Sequence, residues 1–153
     1  MIIGNVNCQD KEFLDFVNFE VNKIIQTNNT NGRTPQQIYN NAFNGIAAEY
    51  FLIKNFGFQK SQDWRYDLYD TFKTKYEVKT AQINNHKWFP IRQDMKYVKQ
   101  NSDLIDFVLL CEILPNGDIN FKYKVRTDIF IDNIKKSNYD GYYFNHFCQC
   151  EKF

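Results

Sequence analysis

The chain has almost no excess charge: 19 Lys and Arg stand against 18 Asp and Glu, a formal net charge of +1 over 153 residues. Without a whole-molecule field to gather nucleic acid or membrane, any electrostatic footprint has to be a local patch. No stretch approaches the roughly eighteen consecutive apolar residues of a membrane span. The start of the chain also lacks the basic segment and apolar run of a secretion signal, so a cytoplasmic protein is expected. Only four cysteines occur, Cys8, Cys111, Cys148 and Cys150. Their spacing is not that of a disulfide scaffold, and reduced thiols are the default expectation. There is no internal repeat and no low-complexity tail, and the length corresponds to one domain with a single sizeable core.

What the chain does have is aromatic residues, 18% of the total within a hydrophobic content of 43%. A core rich in Phe and Tyr follows. Abundant Asn and Lys with little Ala accord with an AT-rich coding genome such as that of a phage or mobile element, hence with a bacterial or phage-infected cell. Residues 10–26 place Phe13, Leu14, Phe16, Val17, Val21, Ile24 and Ile25 at helical spacing, and a polar run closes the segment. Thr34-Pro35 supplies a cap and a first-turn proline, and Gly57 a stop, for a helix over 35–55. Strands are expected near 64–69 and 75–81, a helix over 92–101 and a buried strand over 107–113. A Pro-Asn-Gly-Asp turn at 115–118 follows, then a strand over 119–126 with Ile119, Phe121, Tyr123 and Val125 on one side. A helix over 127–136 and a strand over 142–149 complete an α/β (α+β) fold, a mixed central sheet flanked by helices.

The chemistry concentrates in the hairpin. Asp67 is followed after nine residues by Glu77-Val78-Lys79, and side chains alternate along a strand, so Glu77 and Lys79 share a face. Gathering acids is costly unless a cation or another partner compensates them, which makes the hairpin a candidate divalent-metal site for phosphoryl chemistry. Glu-x-Lys by itself is ordinary on an exposed strand. Glu49 adds weight because it falls on the packed stripe Ala42, Ile46, Ile53 of the 35–55 helix, where a carboxylate needs a partner. Gly45, Ala47 and Ala48 are small enough to allow close helix-to-sheet approach.

Asp67, Glu77-Val78-Lys79 and the preceding helical Glu49 resemble the core of the PD-(D/E)XK nuclease superfamily, over about residues 34–114. Tyr66 stands where the superfamily's name has proline, a position without a metal-binding role. The resemblance implies a restriction endonuclease-like core, with the helix over 10–26 before it and a strand-helix-strand extension after it. It also implies Mg²⁺, with Mn²⁺ able to substitute, held by Asp67, Glu77, the Val78 carbonyl and, directly or through water, Glu49. Lys79 would orient or help deprotonate the attacking water. The expected activity is hydrolysis of DNA, of homing, restriction or junction-resolving type. A homodimer is expected, since one such site cuts one strand. The alternative is a non-catalytic nucleic-acid-binding module on the same scaffold.

Lys73, Lys75, Lys87, Arg92, Lys96 and Lys99 cluster in sequence around this segment and are candidates for phosphate contacts, as is Gln82. A solvated basic surface is the competing account. His86 and Trp88 offer a stacking contact or simple loop packing. His146, Cys148 and Cys150 alternate at period two, which invites a zinc proposal. Structural zinc wants four ligands, so ordinary cysteines are the better expectation.

Overall fold

Two helices begin where the sequence supplies caps. The computed structural model describes residues 1–27, 30–82, 87–92, 95–138 and 141–152. Helix α1 (Lys11–Gln26) starts behind Asp10, whose carboxylate accepts the Glu12 N–H. Helix α2 (Pro35–Phe56) starts behind Thr34 in a reciprocal box, the Thr34 hydroxyl accepting from the Gln37 N–H and the Gln37 side chain from the Thr34 N–H. Proline at the first position has no N–H of its own to leave orphaned. Gly57 ends the helix in the left-handed conformation at φ 71°, which other residues resist.

The main sheet runs β1 (Ile2–Asn5), β7 (Asp118–Arg126), β6 (Phe107–Ile113), β4 (Lys75–Gln82), β3 (Leu68–Tyr69), β2 (Gln59–Lys60), and β10 (Glu151–Lys152) also pairs with β7. Strands β4 and β6 are parallel and the other pairs antiparallel. The sheet is therefore mixed, with helices against it, as the sequence pattern implies. The parallel crossover carries β5 (Phe89–Ile91) and helix α3 (Lys96–Gln100). Helix α4 (Thr127–Asn133) follows β7, and β5 joins β9 (Tyr142–Phe144) and β8 (Lys135–Lys136) in a small second sheet. No helix among the described residues is long and apolar enough to cross a membrane.

The apolar run of β6 is buried from Val108 to Ile113 because this strand is covered on both faces. Leu109 and Cys111 join a core with α1 and α2 that centres on Phe13, Phe51 and Phe121. Val108 and Leu110 join a second core with α3, α4 and the small sheet, around Phe89, Phe130 and Phe144. Each fully buried Phe contributes about 1.5–3 kcal/mol relative to exposure. The aromatic content is thus spent on two layers rather than one.

Several expectations need correction. Ile119, Phe121, Tyr123 and Val125 do not share a side: the β6–β7 register shifts between Leu110 and Cys111, which face Tyr123 and Phe121. That bulge at Lys122 reverses the alternation, so Ile119 and Phe121 enter the first core while Val125 enters the second. Residues 64–67 are not strand; β3 has only two residues. Helices α3 and α4 are shorter than expected, and the segment after β9 winds into a 3₁₀ turn over Phe147–Gln149, so Cys148 has no place in a strand alternation. Gly45 serves no close approach, since a Cβ there would meet nothing within 4 Å. The close approach is at Gly4, where a Cβ would run into the Phe51 ring. The short edge strands β1, β2, β8 and β10 carry too little pattern to be read from sequence.

Candidate active site

The site forms where β3 separates from β4. Asp67 extends the ladder by one residue, its N–H donating to the Tyr76 carbonyl at 3.0 Å. Its carboxylate then caps the exposed edge of β4 by accepting the Val78 N–H at 2.8 Å. The turn beyond is tied by Asp70, which accepts from the Phe72 and Thr74 N–H groups and from the Tyr76 hydroxyl. Burial works against the Asp70 charge, but these three donors hold its carboxyl below the usual range. Asp67 is therefore fixed by backbone on both sides, and its carboxylate lies against the strand that carries Glu77 and Lys79.

Glu77 and Lys79 point from β4 to the α3 side of the sheet, opposite the core face that takes Tyr76 and Val78. Lys79 Nζ donates to Glu77 Oε1 at 2.8 Å, and Lys79 is 6% exposed. With Asp67 they line one wall of a cleft of about 720 Å³. Ile24, Thr27, Asn31 and Arg33 form another part of its lining, as do Trp64, Arg65 and the α3 residues Tyr97 and Val98.

Glu49 reaches this group from the helix. It is 7% exposed, and Lys60 Nζ of β2 donates to its Oε2 at 2.8 Å. Burial raises the Glu49 carboxyl to about 8, with the charge of Asp67 adding to the rise and Lys60 opposing it. Glu77 is raised to about 7 by burial and then by Asp67, with Lys79 and Lys60 opposing. Lys60 is itself held above the usual lysine range: burial works against its charge, but Glu49 and Asp67 outweigh it. The 2.8 Å contact favours the charged forms of Glu49 and Lys60, but burial outweighs it at Glu49, and the upward pull on both glutamates reflects a dry setting in which three carboxylates share two lysines. Buried Glu20 of α1 adds further negative charge toward Glu49 while pairing with Lys23 at 3.1 Å.

Among the described residues, no three His, Cys, Asp or Glu side chains converge as a ready-made metal cage. The chemistry of the donors nonetheless fits a hard divalent cation. They are carboxylate oxygens whose shared burial disfavours their ionised forms without a further cation, and Mg²⁺ keeps several waters and needs few protein ligands. Asp67 and Glu77, with Glu49 behind them, are the residues that would hold it. Val78 lies between Glu77 and Lys79 with its side chain in the core and its N–H occupied by Asp67.

Lys60 was not foreseen. It sits on a two-residue strand whose pattern carries no signal, and only pairing of β2 with β3 sets it opposite Leu68, within electrostatic reach of Asp67. The sequence-adjacent cations scatter. Gln82 and Arg92 line a second cleft with Arg33, Asn41 and Asn44. Lys73, Lys75, Lys87, Lys96 and Lys99 line neither cleft. Lys75 lies over the Tyr66 ring and Lys99 over that of Tyr142. Trp88 is partly exposed, while His86 lies outside the described residues. All four cysteines are unpaired, and Cys148 Sγ is 3.8 Å from His146 Nε2. Compared with known proteins, the chain matches no family model and no curated sequence.

Proposed function

We propose that this protein is a Mg²⁺-dependent DNA endonuclease of the PD-(D/E)XK type. The observation that carries the reading is the meeting of Asp67, Glu77 and Lys79 on one wall of the cleft, with Glu49 electrostatically coupled to Asp67 from the helix behind. Bound Mg²⁺ supplies charge relief on phosphoryl oxygens and an acidified water. The chain's own part is to hold the acids rigid and to aim Lys79. With Glu77 holding the metal, the Lys79 ammonium would be free to hydrogen-bond the attacking water or a phosphoryl oxygen and to offset negative charge developing there. Asp67 cannot swing away, since its carboxylate is hydrogen-bonded to the Val78 N–H and its backbone to Tyr76 and Ser61. In this reading Mn²⁺ substitutes for Mg²⁺, and a homodimer places two sites on two strands. The protein works in the cytoplasm of a bacterial or phage-infected cell.

One observation favours a second reading, a non-catalytic nucleic-acid-binding module: the ammonium groups of Lys60 and Lys79 already engage Glu49 and Glu77. Incubation of the protein with supercoiled plasmid, with and without Mg²⁺ or Mn²⁺, separates the two. Metal-dependent nicking or linearisation that chelation abolishes supports the endonuclease. Binding without cleavage under every metal condition supports the binding module.

A further inference from the structure

Trp64 and Tyr97 are large rings left in solvent beside the acids. Trp64 is 76% exposed and Tyr97 59%. Their centroids are 6.0 Å apart with planes at 89°, an edge-to-face contact that leaves ring faces open. A single exposed hydrophobic residue is ordinary on any protein. This pair differs because both rings line the cleft that holds Asp67, Glu77 and Lys79, whereas exposed Met1, Ile2, Phe19, Phe72 and Trp88 do not.

Neither ring is exposed for want of support. Trp64 stands on a loop tied at both ends. The Ser61 N–H donates to the Asp67 carbonyl, Ser61 Oγ and Asp63 bond reciprocally, and the Arg65 guanidinium clamps the Asp63 carboxylate at 2.6 Å. Tyr97 is presented by α3, which is anchored through buried Met95 and Val98. Two rigid elements therefore hold apolar faces outward at the mouth of a polar, carboxylate-bearing cleft.

We infer that Trp64 and Tyr97 are a stacking platform for an unpaired nucleobase, so that the preferred substrate is DNA with a single-stranded segment at the scissile phosphate. The inference rests on the nuclease reading for its substrate class. Base faces are covered by neighbours within a duplex and become available only where a nucleotide is unpaired or extruded, at an unstacking cost that an already single-stranded nucleotide avoids. Stacking tolerates any base, because every base has a π face. The cleft volume, about 720 Å³, lies in the range that holds small ligands. Asn31 and Asn101 in its lining can bond a base edge.

The test is fluorescence anisotropy in EDTA with labelled single-stranded, forked and blunt duplex oligonucleotides of equal length. The proteins are wild type, Trp64→Ala, Trp64→Phe, Tyr97→Ala and, as an exposed aromatic outside the cleft, Phe72→Ala. Melting curves check that each variant is folded. Wild type should bind the single strand and fork more tightly than the blunt duplex. Trp64→Ala should lose roughly 5- to 100-fold on those two substrates. Trp64→Phe should recover most of the loss, and Phe72→Ala should match wild type. Equal losses on all three substrates, or none with Trp64→Ala, would overturn the platform. Parallel Mg²⁺ assays of cleavage keep the two proposals apart. If aromatic-dependent binding occurs without any hydrolysis, the nuclease reading fails and the platform stands. If cleavage is indifferent to Trp64 on every substrate, the platform fails and the nuclease stands.

Discussion

Replacing Lys60 by Met removes the cation beneath the site while keeping a flexible side chain of similar length. In the wild type, Lys60 Nζ sits 2.8 Å from Glu49 Oε2, with the Glu49 side chain only 9% exposed and that of Lys60 23%. Above pH 8, where Glu49 is ionised, removing one member of such a pair leaves a charge facing Asp67 without compensation, a loss of about 3–5 kcal/mol. At about 2–4 °C per kcal/mol for a chain of this size, the melting temperature at pH 8.5 in EDTA should fall by about 6–20 °C. Adding Glu49→Gln should recover at least half of the loss, because the neutral amide no longer needs the ammonium. The penalty should also shrink as pH falls through 8 toward 5, because Glu49 is protonated over that range and no longer needs the ammonium. Differential scanning fluorimetry of the two single variants and the double variant, at both pH values, measures all three effects. A Lys60→Met protein melting within about 2 °C of wild type, or a double variant no better than it, would refute the buried-pair argument.

Three further outcomes follow from the same site. The glutamate carboxyls are raised above their unfolded value of 4.5, Glu77 to about 7 and Glu49 to about 8, so the folded chain binds more protons than the unfolded one between those limits. Their stabilising contribution is complete below about pH 4.5 and is lost as pH rises through 7 and 8. The metal-free melting temperature should therefore decline from pH 5 to pH 8 and flatten when Mg²⁺ is added; a metal-free curve that rises over this window would contradict the shifts. Lys79→Ala should lower the rate of plasmid cleavage by at least about 100-fold while gel-shift affinity stays within a few-fold of wild type, and cleavage at the wild-type rate would remove Lys79 from the chemistry. Lys96→Ala with Lys99→Ala should reduce the log–log salt dependence of single-strand binding by about 0.7 for each phosphate no longer neutralised; an unchanged slope would move the phosphate track to the Arg33, Gln82 and Arg92 side of the sheet.

The sequence by itself determined what local spacing can encode. Thr34-Pro35 and Gly57 delimited α2, and the apolar run over residues 107–113 marked the buried strand, because caps and periodicity depend only on near neighbours. Alternation put Glu77 and Lys79 on one face of β4 for the same reason, and a turn of a few residues was enough to return Asp67 to their side. Glu49 announced itself by standing on an apolar stripe.

Only the tertiary structure decided the rest. The bulge at Lys122 turned the second half of β7 toward the other core, and such a bulge depends on the partner strand rather than on β7 alone. Lys60 became the counter-charge of Glu49 through a two-residue pairing too short to leave a pattern. Trp64 and Tyr97 meet across 33 positions of chain, although nothing in either segment refers to the other. Period and capping act over one or two turns, whereas the contacts that set charge balance and ligand access are made between segments brought together by burial of the two cores. A linear pattern constrains which face a side chain takes; it does not specify what faces it.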